Sequence, residues 1–301
     1  MKLTKREKKD RRQFFLFILP WIVGFLVFTL IPMLMSLYYS FTDWNVLTHA
    51  NWVGLGNYVE MFQDELFWQS VKVTGIYTLI TVPLNVVLSL LVAILLNGDI
   101  KFAGIFRVIY YLPAILPGVV AAVLWQWIFN KQFGLLNDIL RRFGVEGPGW
   151  LTDSNWTMTA MVIMSLWSVG TGIVMYLAGL QAVPQSLYET AKMDGCGFFY
   201  RLFHVTIPSM SPILLFTFIN ALISSFQTFT QAYVMTSGGP NNASLFYAYY
   251  MYRNAFSYRK MGKASAMGWV FFIAVGALFF LAFHLINRKV FYENERGARE
   301  I

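Results

Sequence analysis

The sequence predicts an all-α, polytopic membrane protein with six transmembrane helices and both termini cytoplasmic. Three observations predict it. Hydrophobic residues make up 57% of the 301 residues against 13% charged, with a mean hydropathy of +0.54, too apolar for a soluble domain of this size. The apolar residues gather in runs of roughly 20 or more, the length a helix needs to cross about 30 Å of hydrocarbon. The basic residues stand beside these runs, which fits membrane orientation better than nucleic-acid binding for a chain of net charge +8.

Residues 1–12 form a basic tail holding Lys2, Lys5, Arg6, Lys8, Lys9, Arg11 and Arg12. The first apolar run, Phe14 to about Tyr39, is too long for a cleaved signal peptide, is interrupted by Pro20 and Pro32, and precedes no small-x-small cleavage site. Further runs lie near Val71–Leu96, Ile105–Phe129, Met158–Leu180, Pro208–Met235 and Ala264–Ile286, which gives six spans over residues 13–286. An even number returns the C-terminal tail, residues 287–301, to the side of the N-terminus. That side then carries fifteen of the 23 Lys and Arg residues and the other side eight, so the tails are expected in the cytoplasm. The first outer loop, residues 40–70, carries Asp43, Glu60, Asp64 and Glu65 and no Lys or Arg. Trp44, Trp52, Trp68, Trp150 and Trp156 fall where interfacial anchors are expected.

Polar residues inside spans should face other helices or a wet cavity. On the fifth span, placed at 100° per residue, Thr217, Asn220, Ser224, Gln227, Thr228 and Gln231 fall in one sector of roughly 100°, with Leu214, Phe218, Leu222, Phe226 and Phe229 around the rest. Two glutamines and an asparagine exceed what packing requires, so this face is expected to line a substrate path. The row Thr74, Thr78, Thr81, Asn85 and Ser89 on the second span is read instead as packing between helices. Trp167, Ser168 and Thr171 on the fourth span are further lining candidates. Tyr110, Tyr111, Trp125 and Tyr176 offer aromatic surfaces suited to sugar rings.

No Asp or Glu lies within the six runs, which removes support for an ion-coupled carrier, and no cluster near a membrane face supports an enzyme. A neutral polyhydroxy solute fits the amides and hydroxyls better. His49, His204 and His284 have no metal-site spacing, so no metal is expected, and the lone Cys196 allows no internal disulfide. There is no phosphate-binding loop of the G-x-x-x-x-G-K-[ST] form, so energy from ATP must come through another chain.

The loop at residues 181–208 holds a short helix. Pro184 and Ser186 open it, Ser186-x-x-Glu189 has capping-box spacing, and Gly195 can end it. The run Glu189-x-Ala191, three residues, Gly195, nine residues, then Val205-Thr206-Ile207-Pro208 resembles the EAA motif of membrane subunits in ATP-binding-cassette importers. Arg107, Leu112-Pro113, Pro117, Trp125, Gly134, Asn137, Ser40-Phe41-Thr42-Asp43 and Gly238-Gly239-Pro240 resemble the carbohydrate-importing branch. Thr190 stands where the family commonly has Ala.

The resemblance implies an importer-type permease fold in a bacterial cell membrane. It also implies a subunit that moves a sugar, expected to be an oligosaccharide, with glycerol phosphate or another polyol as the alternative and a secondary carrier as a weaker one. Implied partners are a second homologous permease, a cytoplasmic ATPase dimer that binds ATP and Mg, an extracytoplasmic sugar-binding protein and membrane lipid. Nucleic acid is not among them, and the chain itself carries no cofactor and no enzymatic site. Carried onto this sequence, Glu189, Ala191, Asp194 and Gly195 belong to the helix that couples to the ATPase.

Overall fold

The computed structural model describes residues 5–98 and 101–287, with side chains from Gln13 onward. The basic side chains of the N-terminal tail, and Arg288, Lys289, Arg296 and Arg299, lie outside the described residues. Secondary structure over this range is helical, apart from one isolated antiparallel bridge between Thr42 and Trp52. The chain divides into two compact units, residues 1–64 with 251–272, and residues 65–250 with 273–301.

In the first unit, α1 (Lys5–Phe25) passes through a π-helical turn at Leu26–Leu30 into α2 (Ile31–Ser40). The end of α2 leaves carbonyls without helical partners. The Asn57 side chain, from α3 (Gly56–Gln63), donates to the carbonyls of Ser40 and Thr42 at 2.9 and 2.7 Å, and Ser40 Oγ meets Tyr58 OH at 2.8 Å. Asp43 accepts from the Asn51 backbone N–H at 2.8 Å and from its side chain, which holds the Asp43 carboxyl below its ordinary range.

Lys263, in the first turn of a later helix, is 5% exposed and bonds Asp64 at 2.7 Å and Glu60 at 3.3 Å, while Lys260 bonds Glu60 at 2.8 Å. A cation at a helix N-terminus opposes the helix dipole, so these carboxylates are what hold it there. The Lys260 hydrogen bond, aided by the charge of Lys263 and opposed by partial burial, keeps the Glu60 carboxyl below its ordinary range. A depressed carboxyl contributes stability above its unfolded value near 4.5 and loses that contribution as pH falls through its lower folded value. Lys263→Met is expected to destabilise this unit by about 2 kcal/mol, less than for a fully buried pair because Glu60 is half exposed. Backbone hydrogen exchange of residues 56–64 should speed up in the variant at pH 7, and the difference from the parent should shrink in acid.

The second unit begins with α4 (Glu65–Leu96), a single long helix that keeps Pro83 inside it. There follow α5 (Ala103–Ile115), α6 (Gly118–Ile128), α7 (Leu135–Arg142), α8 (Ser154–Trp167), α9 (Gly170–Ala182), α10 (Gln185–Met193) and α11 (Phe198–Arg201). A π-helical turn at Leu202–Thr206 then leads into α12 (Ile207–Ser209) and α13 (Ser211–Phe226). A further π-helical turn spans Ala232–Thr236, and α14 (Tyr247–Tyr252) and α15 (Met261–Asn287) close the order, residues 251–272 belonging to the first unit.

Among the described residues, Gln13–Ser40, Glu65–Leu96 and Met261–Ile286 are each long and apolar enough to cross a membrane. The expected third, fourth and fifth spans are not single straight helices. They are bent pairs: α5 with α6 at 101°, α8 with α9 at 44°, and Phe198–Ser209 with α13 at 73°.

Proline explains two of the breaks. Pro117 pushes Leu116 into extended backbone (φ −70°, ψ 135°), because the residue before proline is driven out of the helical region. Pro212 stands in the first turn of α13 and has no N–H for the Pro208 carbonyl, which Ser211 Oγ bonds instead at 2.6 Å, so the helical ladder is interrupted at Met210. The fifth span also ends sooner than expected, at Phe226 rather than Met235. Ser224, Ser225, Thr228 and Thr230 crowd this stretch with hydroxyls that compete for backbone partners, and Ser225 Oγ lies within hydrogen-bond distance of both the Leu222 carbonyl (2.8 Å) and Thr78 Oγ1 (3.0 Å).

The core lies where α4, α9 and the start of α13 meet. Ala93, Leu96, Ile173, Tyr176, Leu177, Leu180 and Met210 pack there with almost no exposure. Close approach of α9 to α5 depends on Gly170, where a Cβ would stand 2.2 Å from the Tyr110 carbonyl oxygen. In lipid, helix association relies on such small-residue contacts. Gly170→Val is therefore expected to abolish recovery of a monodisperse detergent-extracted protein, with Gly170→Ala intermediate.

Candidate functional site

Above this core, a cavity of about 590 Å³ opens between α4, α8, α9 and α13, within the size range of small-molecule sites. α4 contributes Tyr77, Thr81, Asn85 and Ser89. Ser168 comes from the α8–α9 break, and Thr171 and Tyr176 from α9. Thr217, Asn220 and Ser224 come from α13, and Thr228 and Gln231 from the segment after it. No Lys, Arg, Asp, Glu or His is among the lining residues.

Several donors of this wall are committed to carbonyls of their own or a neighbouring helix. Thr81 Oγ1 donates to the Tyr77 carbonyl at 2.8 Å, Asn85 Nδ2 to the Thr81 carbonyl at 2.8 Å, Ser89 Oγ to the Val169 carbonyl at 3.3 Å and Asn220 Nδ2 to the Phe216 carbonyl at 2.8 Å. Thr217 and Tyr176 share a hydrogen bond of 2.6 Å. The amide oxygens of Asn85 and Asn220 and the hydroxyl lone pairs remain as acceptors. The side chains of Ser168, Thr171, Ser224 and Gln231 make no hydrogen bond among the described residues, so they keep both donor and acceptor capacity.

The structure brings together Ser168, Thr171, Asn220, Ser224, Thr228 and Gln231 from the expected path. Trp167 and Gln227 stay off the lining. Trp167 packs edge-on against Trp125 at 5.8 Å, and Gln227 caps the C-terminus of α13, where the helical sector that placed it with its neighbours no longer applies. The 100° rule fails at Gln227 because α13 has already ended.

The second-span row serves two purposes, and only one is packing. Thr74 Oγ1 accepts the Tyr247 N–H at 2.8 Å and Thr78 takes the Ser225 hydroxyl, whereas Thr81, Asn85 and Ser89 line the cavity. Their hydroxyls and amide were visible in sequence; what separates them from Thr74 and Thr78 is which partner helix each meets. Of the aromatic candidates Tyr176 lines the cavity, while Tyr110, Tyr111 and Trp125 do not. Trp150, expected as an interfacial anchor, is instead buried, its indole N–H donating to Asn137 Oδ1 at 2.7 Å. An indole with a partner for its polar end is stable in a loop core.

At the far end of α9, the loop helix α10 runs Gln185–Met193 with Pro184 as its N-cap. The expected capping box does not form. Pro184 (φ −57°, ψ 129°) starts the helix two residues before Ser186, so Ser186 lies within it and its carbonyl accepts from Thr190 Oγ1 at 2.9 Å. Glu189 is exposed and its side chain makes no hydrogen bond among the described residues, so its carboxylate remains available to an outside group.

The helix ends at Gly195, whose φ of +73° is the left-handed conformation that glycine alone adopts without cost. The Gly195 N–H bonds the Lys192 carbonyl at 3.0 Å and the Cys196 N–H bonds the Ala191 carbonyl at 2.9 Å, the double closure of a Schellman motif. Ala191 is buried and Asp194 exposed. Tyr188 OH meets Thr206 Oγ1 at 3.0 Å and ties α10 to the segment that leads into α13.

Comparison with known proteins bears on this arrangement. A family model described as binding-protein-dependent transport system inner membrane component matches residues 74–292. The chain is 39% identical to the probable ABC transporter permease protein YesP of Bacillus subtilis over 98% of this chain and 97% of that protein. It is 33% identical to the lactose transport system permease protein LacF of Rhizobium radiobacter over 91% of this chain and 94% of that one. Among solved structures, it resembles at a TM-score of 0.83 and 21% identity a chain of a bacterial ABC transporter involved in import of the acidic polysaccharide alginate, covering 95% of this chain and 99% of that one. The last likeness speaks to the fold.

Proposed function

The chain belongs to the family of binding-protein-dependent transport system inner membrane components, and on that premise we propose that it is the permease subunit of an ATP-driven importer for a neutral oligosaccharide. The observation that carries the substrate class is the cavity wall, uncharged and lined by amides and hydroxyls that offer more acceptors than free donors. Such a wall suits a solute with many O–H donors. The names of relatives that carry lactose, trehalose and maltose, and arabinooligosaccharides support the same class. Glycerol phosphate fits less well, because a phosphate in a wall without Lys or Arg would be a desolvated, uncompensated charge.

In this reading the three long helices, the bent pairs α5–α6 and α8–α9, and α13 with the segment after it make six spans, both termini are cytoplasmic, and residues 181–208 form the coupling loop. A second permease completes the path, a cytoplasmic ATPase dimer binds ATP and Mg, and an extracytoplasmic sugar-binding protein delivers substrate in a bacterial cell membrane. ATP binding closes the ATPases, α10 moves with them, and Tyr188–Thr206 carries that displacement toward α13, one wall of the cavity. The chain breaks no bond; it changes which side of the membrane the cavity faces.

The test is uptake of labelled disaccharides and trisaccharides into vesicles holding the assembled transporter, with ATP inside and binding protein outside. Accumulation that requires both supports the proposal. Uptake that needs neither would make the chain a carrier, and transport of glycerol phosphate in preference to every sugar would overturn the substrate class.

A further inference from the structure

The segment between the coupling helix and α13 carries a surface that the transport reading leaves unused. Phe198–Ser209 forms one continuous helix bent 73° from α13 at Met210. Phe199, Tyr200, Phe203 and His204 are exposed, with Phe199 at 72% and Phe203 at 59% exposure, and the Tyr200 ring stacks on His204 at 4.1 Å. The other side is held inward: Thr206 is buried and bonded to Tyr188. Arg201 borders a small cavity of about 220 Å³ shared with Tyr188 and Asn97.

We infer that this aromatic face lies in the headgroup layer of the membrane, at the boundary with the acyl chains. Three observations converge on lipid as the occupant. A helix bent 73° from a spanning helix runs close to the membrane plane. It continues directly into that span through the single residue Met210, which fixes its depth at the hydrocarbon edge. Aromatic rings clustered on one exposed face are the side chains that favour this layer, where their apolar bodies meet acyl chains and their polar edges meet headgroups.

The exposed surface of α10 is mixed: Gln185, Ser186, Glu189, Thr190 and Lys192 stand beside Leu187 and Met193, and it carries no aromatic cluster. The aromatic face thus belongs to the following helix, which fixes how deep the loop sits. The inference rests on α13 being part of a membrane span.

A single-cysteine series tests it, because Cys196 is the chain's one cysteine. In a Cys196→Ser background, nitroxides are placed by Phe203→Cys, Met193→Cys and Phe280→Cys, one at a time, in the complete transporter in lipid nanodiscs. Collision rates with oxygen and with an aqueous nickel chelate are then measured. At position 203 the oxygen-to-nickel ratio should be several-fold higher than at 193 and lower than at 280, which lies on α15 and is 70% exposed.

A ratio at 203 equal to that at 193 would overturn the inference. Shielding from both agents that disappears when the ATPase is stripped off would also overturn it, by assigning the face to protein docking. An aqueous ratio at 280 would instead reject the membrane reading itself, which keeps the two failures distinguishable.

Discussion

Gly195→Pro is expected to abolish ATP-driven uptake while leaving the protein in the membrane at normal abundance. Gly195 sits at φ +73° and donates its N–H to the Lys192 carbonyl. Proline fixes φ near −65° and has no N–H, so it removes the turn conformation and one of the two closing hydrogen bonds together, at about 3 kcal/mol or more. That corresponds to the native helix end being populated more than about a hundredfold less.

Nothing stands within 4 Å of a Cβ built at this position, so the loss would come from the backbone and not from a clash. Gly195→Ala isolates that distinction: it meets no atom and pays only the left-handed cost of about 1–2 kcal/mol, so a partial loss of uptake is expected. ATP hydrolysis by the assembled complex, measured beside uptake, gives the diagnostic ratio. If the loop couples transport to the ATPase, transport per ATP should fall with the rank Gly, Ala, Pro. Equal uptake by all three would remove the loop from the mechanism. Glu189→Lys, which reverses an exposed carboxylate that caps nothing, is expected to weaken uptake without altering insertion.

The helical class and the positions of the apolar segments were legible because hydropathy is a local property and lipid enforces it along every span. The breaks were harder. Proline alone does not announce them: Pro83 lies inside the unbroken α4, whereas Pro117 and Pro212 stand at breaks. α4 is packed against α8, α9 and α13, which hold it helical across its proline. No pattern in the sequence states which helix will have such support.

The same limit separates the expected residues that line the cavity from those that do not. Asn220 and Ser224 lie within α13, where 100° per residue holds, and both line the cavity. Gln227 lies one residue beyond its end, and the rule projects it into a wall from which the backbone has already turned. Thr81, Asn85 and Ser89 were assigned to packing because hydroxyls serve packing and solvation equally well. Only the neighbours across the helix decide between them.

Asn220→Leu combined with Gln231→Leu is expected to lower sugar uptake by about tenfold or more, with ATPase docking and membrane insertion preserved. Each side chain lines the cavity, and each exchange replaces an amide by an apolar group of similar size. A neutral hydrogen bond contributes roughly 0.5–1.5 kcal/mol, so losing two accounts for about 2 kcal/mol. A solute hydroxyl left facing leucine would also be desolvated without compensation, so the loss should exceed what the hydrogen bonds alone give.

Gln227→Leu is the internal control. It changes the same chemistry on the same stretch of chain, but Gln227 is the C-cap of α13 and not part of the wall, so uptake should stay within about twofold of the parent, an exposed cap exchange costing little. The comparison distinguishes a path from a general need for polar residues in this segment. Equal losses for Gln227→Leu and the double variant would mean that the segment tolerates no apolar exchange. No loss in either would place the sugar's path elsewhere, most plainly on the second permease. A loss confined to the double variant would assign the cavity to the solute, because Gln227 carries the same chemistry on the same stretch of chain without facing the open volume.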